Sequence, residues 1–307
     1  MSLARYRYFY KVARLGSIRA ASEVLHVAPS AISRQIARLE DELGVDLIEA
    51  NGRGIRITPA GEILAGRASQ IVDAVEQVRS DIDDLLGLRR GHVRIRTVEG
   101  SLNDLVLVAM ARFQEKYPAV TFELSVTSSD RIVAALLDQE TDLGVVFNPP
   151  NSSELDAIAT VMDSLYAIVH PQHAGLRRRG VSLAEVAARP LALPDETFGL
   201  RHMIDAAAKA AGVVLAPVMI TDSIEALRGF ARAGIGIVLL PKLAVASDLA
   251  RRVVKAIPLI DRGLRNAETT VLALRGRSLP IAVRRFGEQL IEVSRTLARS
   301  GFAGGAA

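Results

Sequence analysis

Eight apolar runs between Gly91 and Leu274 limit the fold more than any other feature of this 307-residue chain. HVRIRTV, VTFELSV, DLGVVF, AIVH, PLALP, VMIT, GIVLLP and TTVLAL are short, and most are rich in β-branched residues, which predicts strands. Amphipathic segments of helical spacing, among them LNDLVLVAMARFQEKY and IEALRGFARAG, lie between several of them. Strands alternating with helices build α/β sheets. The roughly 210 residues from Gly91 onward exceed the usual domain size of about 100–150, so two α/β lobes are expected.

Ahead of that region the periodicity changes. Leu64, Ala68, Ile71, Val75, Val78, Ile82 and Leu85 recur at spacings alternating between 4 and 3, with Asp73, Glu76, Gln77, Arg79, Asp81, Asp83 and Asp84 between them. Such a narrow apolar stripe on a long helix needs a partner. Packing against the chain's own domain would satisfy it, and so would a second copy. The reading taken is an inter-chain seam, and therefore a dimer.

The N-terminal residues read as three short helices followed by a hairpin. Leu3, Tyr6, Phe9 and Val12/Ala13 form one apolar face of a helix ending near Gly16. Ser17 suits the N-cap of a second helix through Leu25, with Ala20, Ala21, Val24 and Leu25 available to pack. His26-Val27-Ala28 makes a turn, and Pro29 opens a third helix, where its missing N–H costs nothing. In PSAISRQIARLE, Ile32, Ile36 and Leu39 point one way, and Ser30, Ser33, Arg34, Ala37 and Arg38 the other. Helix, short turn, helix is the helix-turn-helix layout. A small, polar, basic face allows close approach to base edges, where arginine clamps guanine and serine contacts bases or phosphates. LIEANGRGIRIT reads as two strands joined by a glycine turn carrying Arg53 and Arg56, a wing suited to phosphates or the minor groove.

Charge placement agrees with this. The net charge is +4, but residues 1–38 hold seven basic side chains against the single acid Glu23. A basic module on a near-neutral body suggests a polyanion partner, although a solvated charged face has the same composition. With no cysteine, disulfides, thiolate metal sites and cysteine nucleophiles are excluded. The N-terminus lacks the pattern of a signal peptide, and no run reaches the roughly 18 apolar residues of a membrane span, so a soluble cytoplasmic protein is expected. His170 and His173 form HxxH on a loop with no neighbouring carboxylate, a poor metal site. Nucleophile-elbow, phosphate-loop and dinucleotide signatures do not occur. Neither enzyme activity, nor a cofactor, nor a metal is expected.

The run AASEVLHVAPSAISRQIARLEDELGVDLI, continued by GRGIRITPAG, resembles the DNA-binding module of LysR-type transcriptional regulators. Ala20-Ala21, Leu25, Ser30, the Ser33 to Ile36 run, Leu39-Glu40, Leu43-Gly44, Leu47 and Thr58-Pro59-Ala60-Gly61 carry it. FQEKYPAVTFEL, DLGVVF and AGIGIVLLP sit where the family has similar segments. The resemblance implies a winged helix-turn-helix over 1–58 and a linker and dimerisation helix over 59–90. It implies a two-lobed domain over 91–300 like periplasmic binding proteins, within an overall α/β class. Lobe I would take about 91–162 and 268–300, and lobe II about 163–267; residues 301–307 form a tail. Two departures stand out. The family has Phe-x-Arg after the first leucine of the wing, whereas Ile48-Glu49-Ala50 follows Leu47 here. A glycine usual before Asp142 is replaced by Thr141.

The same resemblance implies an effector cleft at the ends of strands and starts of helices. Candidates are Gly100, Ser101, Thr127, Ser128, Phe147, Asn148, Thr197, Phe198 and Ser223, of which positions like Ser101, Ser128 and Phe198 would contact a small carboxylate. Alternatively the serines only cap helices. No basic side chain marks an anion pocket; Arg201 either reaches one or is a surface residue. The expected protein is a dimeric or tetrameric regulator of operator double-stranded DNA, with contacts from Ser30, Ser33, Arg34, Arg38, Arg53 and Arg56. The competing class is a solute-binding or catalytic α/β protein whose N-terminal helices serve only assembly. An assembly helix would more often present large apolar residues where these serines and arginines stand.

Overall fold

The computed structural model describes residues 3–51, 54–68, 71, 90–172 and 180–297. The chain divides into two compact units, Met1–Leu86 with Arg277–Pro280, and Gly87–Gly276 with Ile281–Ala307.

In the first unit α1 (Leu3–Leu15), α2 (Ile18–Leu25) and α3 (Pro29–Leu43) precede a hairpin of β1 (Ile48–Asn51) and β2 (Gly54–Ile57). Ser17 caps α2, accepting from the Ala20 N–H at 3.3 Å. Its C-cap, His26, takes the left-handed conformation, φ 53°, which turns the chain sharply into α3. Gly44 ends α3 in the same region, φ 70°, where glycine carries no Cβ penalty. The core holds Tyr6, Phe9, Val12, Ala21, Ile32, Ile36, Leu39 and Leu47, with Ile48 packed against it. Burying Phe9 or Ile36 contributes about 1.5–3 kcal/mol each. Ile48 thus fills core space where the family has phenylalanine. Val24 does not pack as expected; it is 52% exposed, because the short α2 turns Ala21 and Ser22 inward instead.

The Thr58-Pro59-Ala60-Gly61 turn starts α4 (59–68). Thr58 Oγ1 donates to the Asp46 carbonyl at 2.7 Å and accepts from the Gly61 N–H at 3.0 Å. A Cβ on Gly61 would lie 2.2 Å from the Leu47 carbonyl oxygen, so only glycine fits. Leu64 packs on the core of its own unit, Ala68 is buried and Ile71 is exposed. The remaining seam positions, Val75, Val78, Ile82 and Leu85, lie outside the described residues, as do Arg53 and His173.

The second unit has two mixed sheets. The first lobe orders its strands β4-β3-β5-β12-β6: β3 (Gly91–Thr97), β4 (Val120–Val126), β5 (Leu143–Phe147), β6 (Leu155–Asp163) and β12 (Ala267–Leu274). The second lobe orders β11-β7-β10-β8-β9: β7 (Leu165–Val169), β8 (Leu191–Pro194), β9 (Met219–Thr221), β10 (Ile237–Pro241) and β11 (Lys255–Pro258). All eight expected strands occur. Two were not expected: β6 and β11 are edge strands, and LDAIATVMD and KAIP lack the continuous apolar run of a central strand such as β10.

Helices cover the sheets. In the first lobe, α5 runs as Glu99–Ser101, a π-helical stretch Leu102–Val106 and Leu107–Lys116. It is followed by α6 (Ser129–Leu137). The second lobe carries α7 (Leu183–Ala187), α8 (Gly199–Ala211), α9 (Ile224–Arg232) and α10 (Ala246–Ala250). The closing helix α11 (Ile281–Leu297) buries Phe286 against Phe113 and Phe122. Thr141, standing where the family has glycine, is buried, and its hydroxyl lies 3.1 Å from the Arg94 carbonyl. Beside it Asp142 accepts from the Arg94 backbone at 3.0 Å and pairs with its guanidinium at 2.5 Å.

The chain crosses between lobes twice, at 163–165 and at 259–266. Ser164 Oγ donates to the Arg265 carbonyl at 2.9 Å, joining the two crossings. Asp163, buried at this point, accepts from the Ser164 N–H at 2.7 Å and the Leu243 N–H at 3.0 Å. Burial pushes its carboxyl pKa up to about 6, opposed by these two hydrogen bonds and by Lys242.

Candidate nucleic-acid interface and ligand cleft

Helix α3 presents the face expected of it. Ile32, Ile36 and Leu39 are buried, while Ser30, Ser33, Arg34, Ala37 and Arg38 are exposed. Ser33 Oγ donates to the Pro29 carbonyl, and Arg34 Nε to the Ser30 carbonyl, each at 3.2 Å. These local bonds lay both side chains along the exposed face. Arg5 of α1 bonds Gln35 and pairs with Glu42, holding α3 at its middle and near its C-terminal end. Arg56 is exposed on β2 and sits in register opposite Glu49. Glu40 has a part that was not foreseen: one carboxylate oxygen accepts from the Leu47 and Ile48 N–H groups at 2.8 and 3.2 Å, fixing the hairpin to the end of α3.

In the second unit a cavity of about 240 Å³ opens between the lobes. It lies beyond the carboxyl ends of the strands, where ligands of open α/β sheets bind. Gly100, Ser101, Thr127, Ser128, Phe147, Thr197 and Phe198 line it. Two expected residues do not. Asn148 turns aside, φ 45°, and its side-chain oxygen accepts from the Glu268 N–H at 2.8 Å, bracing β12. The Ser223 hydroxyl caps α9 at the Ala226 N–H and donates to Glu99. Arg201 is also elsewhere, paired with Asp205 one helical turn on and donating to the Pro194 carbonyl.

Ser129 and Asp222, each beside an expected residue at a helix start, also line it; residues not foreseen include Glu99, Val126 and Ile224, with Leu240, Pro241, Leu243 and Ala244 from the end of β10 and just beyond it. The wall is mainly apolar, and its charged members are Glu99 and Asp222; among the described lining residues there is no lysine, arginine or histidine. Ser129 Oγ bonds the Phe147 backbone at both N–H and carbonyl, tying α6 to β5. The N-caps of α6 and α8, Ser128 and Phe198, make no side-chain capping bond. A helix start without such a cap keeps N–H groups able to hold an anion.

A helix-turn-helix with a basic wing, and a separate two-lobed domain around a cavity, define a ligand-responsive DNA-binding protein. Residues 3–62 match the family described as bacterial regulatory helix-turn-helix protein, lysR family, and residues 86–295 match the LysR substrate binding domain. The chain is 34% identical to the transcriptional dual regulator GltC of Bacillus subtilis over 258 residues, covering 83% of this chain and 85% of that protein. It is 28% identical to the RuBisCO operon transcriptional regulator of Allochromatium vinosum, covering 98% of this chain and 99% of that protein. A full-length OxyR variant of Pseudomonas aeruginosa has a similar fold, with TM-score 0.61 at 20% identity, covering 96% of this chain and 95% of that one. Full-length CbnR in complex with its target DNA has TM-score 0.52 at 24% identity, covering 96% of this chain and all of that one. The chain belongs to the LysR family and is a DNA-binding transcriptional regulator with an effector-binding domain, not an enzyme. No helix among the described residues is long and apolar enough to cross a membrane.

Proposed function

We propose that this regulator binds operator DNA as a homo-oligomer and responds to a small organic monoanion held in the interlobe cleft. In this reading residues 1–58 are the DNA-binding domain and 59–90 the dimerisation helix. Residues 91–300 are the effector domain, with lobe I at about 91–162 and 268–300 and lobe II at about 163–267, and 301–307 are a tail. Ser30, Ser33, Arg34 and Arg38 address the major groove, and Arg53 and Arg56 the backbone beside it. Leu64 and Ala68 pack within their own chain, and the rest of the seam, from Ile71 to Leu85, joins two copies, which places two recognition helices on a partly palindromic site.

The observation that carries the effector reading is the cavity itself. Its walls offer an apolar body a dry surface, and two helix starts without side-chain caps, α6 and α8, meet there. Its volume of about 240 Å³ lies below the roughly 300–1,000 Å³ of pockets for drug-sized molecules, so the ligand is small. Effector binding would favour one placement of the DNA-binding modules over another through a difference in affinity between the two. The test is a thermal-shift screen of small monocarboxylates with the wild type and Ser128→Trp, whose indole fills the cavity mouth. Stabilisation of the wild type alone is expected; equal stabilisation of both proteins puts the ligand elsewhere.

A further inference from the structure

Glu99 stands at the first residue of α5 in the first lobe, yet its carboxylate is bonded to the second lobe. It accepts from the Ser223 hydroxyl at 3.1 Å, the Ile224 N–H at 2.9 Å and the Glu225 N–H at 3.0 Å, using both oxygens. These donors are the N-cap and first turn of α9. A carboxylate on backbone N–H groups at a helix start is favoured by charge-assisted hydrogen bonding and by the helix dipole. The α9 start is therefore a working carboxylate site, and the chain's own side chain sits in it. Glu99 and Asp222 also line the cavity, and no described lining residue carries a positive charge to offset them.

We propose that Glu99 is a tethered anion: it fills the carboxylate position on α9, leaves the position between α6 and α8 for the effector, and so limits the effector to one anionic group. This rests on the reading that the cleft takes an effector carboxylate. A second carboxylate on the ligand would meet Glu99 and Asp222 without a cation, in a cavity whose apolar walls solvate charge poorly. Once Glu99 loses its charge, a second carboxylate on a ligand of the same length no longer meets it; once Glu99 is removed, that carboxylate also reaches the α9 start.

The test uses the full-length wild type, Glu99→Ala and Glu99→Gln; the glutamine keeps an acceptor for α9 without the charge and guards against a folding defect. The first arm needs no effector. Thermal unfolding is compared in sodium acetate and sodium chloride at equal ionic strength. Acetate is expected to raise the midpoint of Glu99→Ala more than that of the wild type, because it enters the vacated α9 start. Equal shifts in the two proteins overturn the proposal. The second arm compares hexanoate with adipate by calorimetry. Hexanoate is expected to bind all three proteins, and adipate to bind at least about tenfold more tightly to both variants than to the wild type, about 1.4 kcal/mol. Adipate binding the wild type as well as hexanoate does, or gaining nothing in either variant, overturns the proposal. If hexanoate binds none of the three while acetate still favours Glu99→Ala, the effector reading fails and Glu99 remains the occupant of α9.

Discussion

Asp163→Asn should change the pH dependence of stability in a direction fixed by the lobe crossing. The folded carboxyl holds its proton up to about pH 6, and the unfolded one releases it near 3.8. Between these values the native state binds more protons than the unfolded state, so stability falls as pH rises. The contribution is fully present below 3.8 and is lost as pH passes through about 6. A shift of about two units corresponds to about 3 kcal/mol in total, of which about 2 kcal/mol falls between pH 4.5 and 7.5. Asparagine does not titrate, and it costs the site one acceptor oxygen at every pH, since Leu243 and Ser164 each bond a different oxygen. The asparagine variant is therefore less stable than the wild type at pH 4.5, and the gap closes or reverses by pH 7.5. Urea midpoints from circular dichroism, taken at several pH values for both proteins, measure that gap. A gap that stays constant, or widens with rising pH, would refute the burial argument for Asp163.

Three further outcomes concern DNA and assembly. Arg34→Ala should weaken binding to the operator by about 1–3 kcal/mol and bind random DNA nearly as before; equal loss on both would reduce Arg34 to a phosphate contact. Arg56→Ala should make the salt dependence shallower by about 0.9 for each phosphate that the arginine no longer neutralises, about 1.8 for a dimer. An unchanged slope removes Arg56 from the backbone. Val75→Asp should break the dimer because it places a charge on the seam, and an unaltered sedimentation mass would count against an inter-chain seam.

Much of the first unit was legible because its signals are local. The Ser17 cap, the short turn from His26 to Ala28, Pro29 at the helix start and Gly44 at its end each depend on a few neighbouring residues. The inward Ile32, Ile36 and Leu39 follow from helical period alone. Val24 failed because amphipathic spacing says which residues share a face, not how far a partner helix covers it. Edge strands β6 and β11 failed for a related reason: with one face or one edge in water, they need no continuous apolar run.

The cleft divides along the same line. Seven of its lining residues were found because strand ends followed by helix starts can be located in sequence, and such ends face the ligand side of an α/β sheet. Asn148 and Ser223 carry the same local signature, and only their tertiary bonds to Glu268 and Glu99 show that they face away or are engaged.

The sequence by itself determined the modules, their order, the exposed basic face of α3 and the family, because each rests on spacing along the chain. Only the tertiary structure decided what the cleft contains. Glu99 and Ser223 are 124 residues apart, and no local pattern signals that one carboxylate will lie on the other's helix. Asp163 is likewise an ordinary acid in sequence; folding both crossings around it removes its water and raises its pKa.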